Sequence, residues 1–362
     1  MSRYEVHWYS DTGDFKTIIS DFEKLEYVRN ENNVGVMTLT LPYLSYNYEN
    51  FMVDQILEIW REKNGVLTLQ NETAYFLRKW EITYSNGTTS IMLTAFDANY
   101  LLDGAIVAYY AGESESDKTD HADDMIKEIV DENLASGSSD ADRTKITVAG
   151  DLGACSSVTK GFAWRNVLLV CQEIAQLANE NGDYLAFDVV RTNPCEFEFR
   201  TYEGQRGKDH TRDSGDPRLV SRKAGNLIEA KFITDHTYER NYIYVGGQGE
   251  LSARAKVERT NTDRINSSDW NRREYFADGR HVSTTASLNS IGDEKLDEFK
   301  PGQVMEGRIV DTEGMQFGVH YGFGDLLTVE AFGYAVDCHV STVHATVTPK
   351  GEIIEVRMKG QL

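Results

Sequence analysis

The sequence has few cysteines, few prolines and no long apolar run. Its 362 residues include four cysteines that lie far apart and form no CxxC pair: Cys155, Cys171, Cys195 and Cys338. This spacing argues against a disulfide scaffold and a zinc ribbon, so we expect reduced thiols and intracellular synthesis. The longest candidate for a membrane span, residues 167–178, is interrupted by Gln172 and Glu173 and is shorter than the roughly 20 residues needed. The first residues also lack the apolar stretch of a secretory signal.

Basic residues are scarce compared with acidic ones. Lys and Arg number 37 and Asp and Glu number 58, so the formal net charge is −21. We therefore expect no stable nucleic-acid binding, which needs a broad basic face. Hydrophobic residues make up 40% of the chain and charged residues 26%, which is the composition of a folded protein. Aromatic residues at 11%, with only 5 prolines, favour strands.

The motifs that mark catalytic, metal or cofactor sites are missing from the sequence. No histidines form an HExxH pair, and His339 and His344 would point to opposite faces of a regular strand. The acidic runs at 113–124 and 138–142 lack the spacing of a calcium loop. The glycine-rich segment 246–249 is not followed by the Lys of a phosphate loop, and no Gly-x-Ser-x-Gly motif is present. We therefore assign no catalytic, metal-binding or cofactor-binding residue.

Residues 4–109 show the period-two alternation of antiparallel strands. In the run 37–42, apolar residues alternate with threonines until a proline ends the strand. Glu58 lies between apolar neighbours in a second alternating run. A third and a fourth run flank Asn86-Gly87, which predicts a hairpin with a left-handed two-residue turn. Several short strands joined by such turns predict a small barrel or sandwich.

The pattern changes after residue 112. Apolar residues at helical spacing predict helices over 125–134 and 164–178, and two strands follow within 184–202. Segment 113–223 is therefore predicted to be an α+β insertion. Its last part, 204–223, is charged, contains glycine and has few large apolar residues, so we expect an exposed and mobile loop there.

Strand patterns return after residue 224 and continue to the end of the sequence. A run over 227–244 predicts a strand, and clean alternation over 351–358 predicts another. Between them, a polar insertion around 261–301 contains an irregular part and a short helix. The order predicts three segments: a first β domain at 1–112, the α+β insertion at 113–223 and a second β domain at 224–362.

The amino-terminal third carries a specific succession of motifs. A turn containing Asn33 and Gly35 leads into the strand that ends at Pro42, and a strand ending in Arg61 follows. A hairpin around Trp80 comes next, and then the sequence Asp97-Ala98-Asn99-Tyr100-Leu101-Leu102. Over residues 20–107 this succession resembles the tail-hub proteins of long-tailed bacteriophages, also called tail-associated or baseplate-hub proteins, and the central hub of contractile phages.

The resemblance implies a hub-like, β-rich α+β fold with two tube-type β-barrel domains joined by the α+β insertion. It implies a homotrimeric ring that connects the tail tube to the tip and encloses a channel for DNA and the tape-measure protein. The implied partners are other copies of the chain, the distal tail protein and tail-tip or fibre proteins, with no membrane span. The implied location is the tail tip or baseplate of the virion, after synthesis in the host cytoplasm, and no catalytic residue or cofactor is implied.

Four polar strand residues are candidates for lining the channel: Thr38, Thr40, Glu58 and Thr83. The net charge of −21 suits passage, because acidic walls repel phosphate, and it suits solubility equally. Two other functions stay open at this point. One is a tail-associated enzyme that degrades cell wall or carbohydrate with a carboxylate pair. The other is a receptor- or glycan-binding tail module, suggested by the tyrosine content.

Overall fold

The computed structural model describes residues 3–70, 72–108, 116–249, 253–280 and 284–361. The chain forms two compact units, one comprising residues 1–230 with 306–360 and the other comprising 231–305 with 361–362. The boundary predicted at 112–113 lies outside the described residues, so the division into three segments stays a prediction.

The amino-terminal part of the larger unit is built from strands and a short helix. In chain order these are β1 (Arg3–Tyr9), β2 (Phe15–Ile19), β3 (Lys24–Asn30), β4 (Val36–Pro42), β5 (Ile56–Lys63), β6 (Val66–Leu69), β7 (Tyr75–Ser85), β8 (Thr88–Asp97) and α1 (Tyr100–Asp103). The turn between β7 and β8 is the predicted one, because Asn86 and Gly87 both have positive φ, at 51° and 84°.

The segment predicted to be an α+β insertion contains both strands and helices in its described part, residues 116–203, which we call the insertion. Its elements are β9 (Ser116–His121), α2 (Ala122–Leu134), β10 (Thr147–Val148), β11 (Ser157–Phe162), α3 (Val167–Glu180), β12 (Leu185–Asn193) and β13 (Glu196–Glu203). Helix α3 begins three residues later than predicted. Trp164 has a left-handed φ of 54°, and the Asn166 side chain caps the helix by accepting a hydrogen bond of 3.0 Å from the Leu169 N–H.

The remaining elements alternate between strands and helices before the final strands. They are β14 (Asp209–His210), β15 (Leu219–Ser221), β16 (Leu227–Asp235), β17 (Tyr242–Gly246), β18 (Lys256–Thr260), α4 (Thr262–Asn266), β19 (Glu274–Asp278), α5 (Thr285–Glu298), β20 (Gly302–Ile309), β21 (Leu326–Ala331), β22 (Tyr334–Thr348) and β23 (Gly351–Gln361). The single strand predicted over 227–244 is two strands, β16 and β17. Among the described residues, no helix is long and apolar enough to cross a membrane.

One large sheet organises the chain. Its strand order is β16-β20-β23-β22-β3-β4-β8-β7-β5-β1-β2, and β6, β14, β15 and β21 pair alongside this path. Strands from the beginning and the end of the chain meet where β3 pairs with β22. Within the described residues the path is open, with β2 at one end and β16 at the other. The β-rich α+β character is therefore confirmed.

The core of the large sheet follows the alternation in the sequence. On β3, β4 and β8, every second side chain is fully buried, and the intervening ones are partly exposed. The buried set includes Leu25, Tyr27, Met37, Leu39, Leu41, Ile91 and Leu93. A second buried cluster joins helices α2 and α3 to residues of the large sheet, among them Tyr9, Ile56 and Phe76. The insertion therefore covers the sheet at β1, β5 and β7.

Many residues of segment 204–223 are exposed, as predicted, but the segment is not a loop throughout. Short strands β14 and β15 lie within this segment, and both pair in parallel with β21. His210, Val220 and Ser221 are buried. The local sequence does not indicate these two strands, because the strand they pair with lies more than a hundred residues later in the chain.

Candidate functional site

Outside the part that the insertion covers, one side of the large sheet carries many threonines. Across the strands, Thr38 lies opposite both Glu26 and Thr94, and Glu26 in turn lies opposite Thr346. The positions on this side alternate with the fully buried core residues. We call this surface the threonine face, and its threonines are Thr38, Thr40, Thr83, Thr94, Thr342, Thr346 and Thr348.

Charges on the threonine face are balanced. Lys24 pairs with Glu26, which also accepts a hydrogen bond from His344 Nε2 at 2.8 Å. The Lys24 contact, acting against partial burial, lowers the pKa of Glu26. Lys79 Nζ lies 2.6 Å from Glu81 Oε2. Because Glu26 and Glu81 each have a basic neighbour, this part of the face neither attracts nor strongly repels a polyanion, and the acidic wall predicted from net charge is not located here.

The structure brings three of the four predicted channel residues together and separates the fourth. Thr38 and Thr40 are half-buried on β4, and Thr83 is exposed on β7, two strands away. Glu58 on β5 is fully buried, with its Oε1 2.7 Å from Arg191 Nε and its Oε2 accepting a hydrogen bond of 3.1 Å from Trp60 Nε1. The insertion, which supplies Arg191, covers this part of the sheet, so Glu58 forms a buried ion pair and not a solvent-facing carboxylate.

Strand β22 places His339 and His344 on the same face, contrary to the prediction for a regular strand. A bulge between Val340 and Thr342 adds one residue and shifts the alternation. His339 stacks on Tyr184, with ring centroids 4.0 Å apart. Burial lowers the pKa of His339 to about 4. Among the described residues, no group of three His, Cys, Asp or Glu side chains is arranged to hold a metal ion.

We expect His339 to make stability depend on pH. An unfolded histidine titrates near 6.5, so between about pH 6.5 and 4 the unfolded chain binds a proton that the folded chain resists. The free energy of unfolding should therefore fall as the pH is lowered through this window. Urea denaturation at stepped pH checks this by comparison with His339→Phe, which keeps a ring on Tyr184. Parallel pH curves for the two proteins would contradict the assignment.

A buried charge cluster, which sequence reasoning missed, joins the sheet to the insertion. Arg29 on β3 is fully buried and pairs with Asp97 at the end of β8 and with Asp188 on β12. Arg206 Nη2 lies 2.6 Å from Asp188 Oδ2. Burial disfavours the charged form of Arg29, but the two carboxylates outweigh it and raise its pKa. We call Arg29, Asp97, Asp188 and Arg206 the charge cluster.

One signal in the sequence indicates this cluster. Arg29 occupies a core-facing position of an alternating strand, in phase with the buried Leu25 and Tyr27. A charged residue in an apolar register needs a buried partner. The partners lie 68 and 159 residues away in the chain, so the sequence cannot name them.

The thiols are free and largely inside the protein. Cys155, Cys171 and Cys338 are buried, and Cys195 is half-buried. Burial raises the pKa of all three, to about 12 for Cys155 and for Cys338. These three buried thiols are therefore protonated and unreactive at neutral pH.

The chain matches one protein family model and is similar in fold to several solved structures. A family model described as Siphovirus ReqiPepy6 Gp37-like protein matches residues 5–358. Among solved structures, the chain is similar to the tail protein from Neisseria meningitidis MC58, with 13% identity, a TM-score of 0.57 and coverage of 99% of this chain and 96% of that one. No curated protein matches.

Two further solved structures share the fold. One is the 43 kDa tail protein of prophage MuSo2 from Shewanella oneidensis, with 10% identity, a TM-score of 0.56 and 98% coverage of both chains. The other is prophage tail protein gp18 from Listeria monocytogenes EGD-e, with 10% identity, a TM-score of 0.53 and coverage of 98% of this chain and 94% of that one. At these identities the likeness concerns the fold alone.

Proposed function

Because the chain belongs to the Siphovirus ReqiPepy6 Gp37-like protein family, a family of siphovirus tail proteins, we propose that it is a structural hub at the tip of the phage tail. The identification as a phage tail protein, made from the motifs in residues 20–107, is confirmed by this family match. The hub role, the trimer and the channel are the proposed part. In this role the chain is not an enzyme, and it acts through its surfaces.

The proposed hub is a ring of three copies that connects the tail tube to the tip. Its partners are the distal tail protein on one side and tail-tip or fibre proteins on the other. Two tube-type β domains per chain, 1–112 and 224–362, would let a trimer offer six similar domains to the tube. The sheet path, open within the described residues between β2 and β16, supports closure between subunits, because unpaired strand edges favour pairing with another chain.

The observation that carries the proposal is the threonine face. It spans several strands outside the part that the insertion covers, and it carries paired charges and short hydroxyl side chains. A channel for DNA and tape-measure protein needs such a surface, since a basic wall would hold DNA through counterion release. The proposed lining residues are therefore Thr38, Thr40 and Thr83, together with Thr94.

Imaging of intact virions tests the hub directly. Cryo-EM of the tail tip is expected to find three copies around the tail axis, with the threonine face turned to the bore. A single copy on the outside of the tail, away from the axis, would refute the proposal.

We expect Ile18→Lys to prevent ring formation while leaving the subunit folded. Ile18 lies on the end strand β2 and is 45% exposed, and a lysine on an edge strand discourages pairing with another chain. Native mass spectrometry of material released from tails should find three times the 40.9 kDa subunit mass for the original chain. The variant should be found as single subunits.

The matched control for this variant is Ile353→Lys. Ile353 is 67% exposed but lies on β23, which is paired on both sides in the sheet. The control is expected to assemble normally. Equal assembly of both variants would show that β2 is not a subunit contact.

A further inference from the structure

The smaller unit has a sheet with one covered face and one uncovered face. Strand β17 lies between β18 and β19. Its residues Ile243 and Val245 are buried and pack with Leu288 and Ile291 of helix α5. Tyr242 and Tyr244 alternate with these buried residues, so they lie on the side away from the helix.

Three aromatic rings adjoin each other on the uncovered side. The ring centroids of Tyr242 and Tyr244 are 4.8 Å apart. Phe276 of β19 lies directly opposite Tyr244 and is 53% exposed. We call Tyr242, Tyr244 and Phe276 the aromatic face.

Arginines paired with carboxylates flank the rings. The guanidinium of Arg272 lies 3.8 Å from the ring centroid of Tyr242, donates a hydrogen bond of 3.1 Å to the Tyr244 hydroxyl, and donates to Glu274 at 2.7 Å. Arg254 lies 5.2 Å from the ring centroid of Phe276 and donates to Asp278 at 2.5 Å. Each guanidinium therefore lies over a ring and is neutralised by a carboxylate on the same sheet.

The composition of this face differs from that of the other uncovered face in the same protein. The threonine face carries short hydroxyl side chains and paired charges. The aromatic face instead carries large rings, of which Phe276 is exposed and Tyr242 and Tyr244 are half-buried. A partner that covers such a group of rings removes apolar surface from water. The rings on this face therefore indicate a contact surface.

The charge of the smaller unit decides what kind of partner fits. Residues 231–305 contain 11 basic and 12 acidic residues, so this unit is almost neutral while the whole chain carries −21. A single-stranded nucleic acid would need a net basic surface around the rings. The guanidiniums here are already neutralised, and the net charge of the whole chain disfavours binding of polyanions.

We propose that the aromatic face binds a neutral oligosaccharide. The C–H faces of the sugar rings stack on Tyr244 and Phe276, while Arg272 donates hydrogen bonds to sugar hydroxyls and Glu274 accepts them. A neutral sugar combines apolar faces with donors and acceptors and has no charge, which matches this surface. The inference goes beyond the hub role and does not depend on ring assembly.

Titration of the full chain with defined sugars tests the proposal. The probes are the hexamers of β-1,4-linked N-acetylglucosamine, β-1,4-linked glucose and α-1,4-linked glucose, followed by saturation-transfer NMR and calorimetry. At least one hexamer is expected to bind. The double variant Tyr244→Leu/Phe276→Leu should weaken that binding about tenfold or more, because two ring contacts are lost while apolar volume is kept.

Two controls separate ring stacking from misfolding. Tyr244→Phe keeps the ring and is expected to bind within about twofold of the original chain, since a stacking contact resides in the ring and not in the hydroxyl. Tyr238→Leu removes an aromatic residue of the same unit that is 76% exposed and lies outside the aromatic face, and binding should be unchanged. Heat denaturation establishes that each variant is folded.

Three results would overturn the proposal. The first is that no hexamer binds at millimolar concentration. The second is that a 20-residue oligo(dT) binds, and the double variant abolishes this binding, while no sugar competes. The third is that the double variant changes the native mass of the protein without any sugar binding, which would make the aromatic face a protein contact.

Discussion

Replacing Arg29 with Met is expected to lower the free energy of unfolding by about 3 to 5 kcal/mol. Arg29 is fully buried between Asp97 and Asp188, which are 0% and 1% exposed. Arg206 continues to pair with Asp188, so Asp97 is the carboxylate left without a cation. A buried charge that loses its partner costs far more than the pair contributed, because water cannot reach it. Urea denaturation followed by circular dichroism measures the loss.

Two control variants separate the cost of breaking a buried ion pair from the cost of removing a positive charge. Arg200→Met breaks the pair with Glu198 on β13, where the Arg200 side chain is 43% exposed, and should cost less than about 1 kcal/mol. The double variant Arg29→Met/Asp97→Asn should recover part of the loss, since the remaining side chain is neutral. A similar cost for Arg29→Met and Arg200→Met would contradict a structural role for the charge cluster.

Introducing lysines on the threonine face is expected to slow DNA release from the virion severely. The triple variant Thr38→Lys/Thr40→Lys/Thr94→Lys places three positive charges per chain, and nine per ring, on the proposed channel wall. Six to ten phosphate contacts of this kind change DNA affinity by about 10³ to 10⁵ between 50 and 200 mM salt. Ejection should therefore be slow at low salt and should recover as salt is raised, as measured by DNA release from purified phage.

A charge-matched control separates the channel wall from net charge. Thr119, Thr159 and Thr237 are exposed residues outside the threonine face. Their triple lysine variant adds the same charge elsewhere, and its ejection rate is expected to match that of the original phage. Equal rates for both triple variants at low salt would show that the threonine face does not line the DNA path.

Much of the fold could be predicted from local sequence. The hairpin at Asn86-Gly87 and helix α2 lie where their patterns place them. These elements depend on turn chemistry and hydrophobic period, which are properties of neighbouring residues. The start of α3 was predicted less well, because the left-handed conformation of Trp164 and the Asn166 cap interrupt an apolar pattern that continues upstream.

The candidate site was predicted only in part. Thr38, Thr40 and Thr83 share one uncovered face, as an alternating polar pattern allows. Glu58 belongs to a similar pattern, but the insertion covers its strand and Arg191 pairs with it. Whether a polar position faces water depends on what packs above it, and the covering element comes from a distant part of the chain.

The sequence by itself determined many of the strands, helices α2 and α3, the β-rich composition with helices in the middle of the chain, and the resemblance to phage tail proteins. Tertiary structure alone decided that β3 pairs with β22, that segment 204–223 is anchored on β21, and that Arg29 meets its carboxylates. The physical reason is the separation along the chain between the residues that interact. Period and turn signals act over a few residues, whereas burial and ion pairing depend on which distant surfaces exclude water from one another.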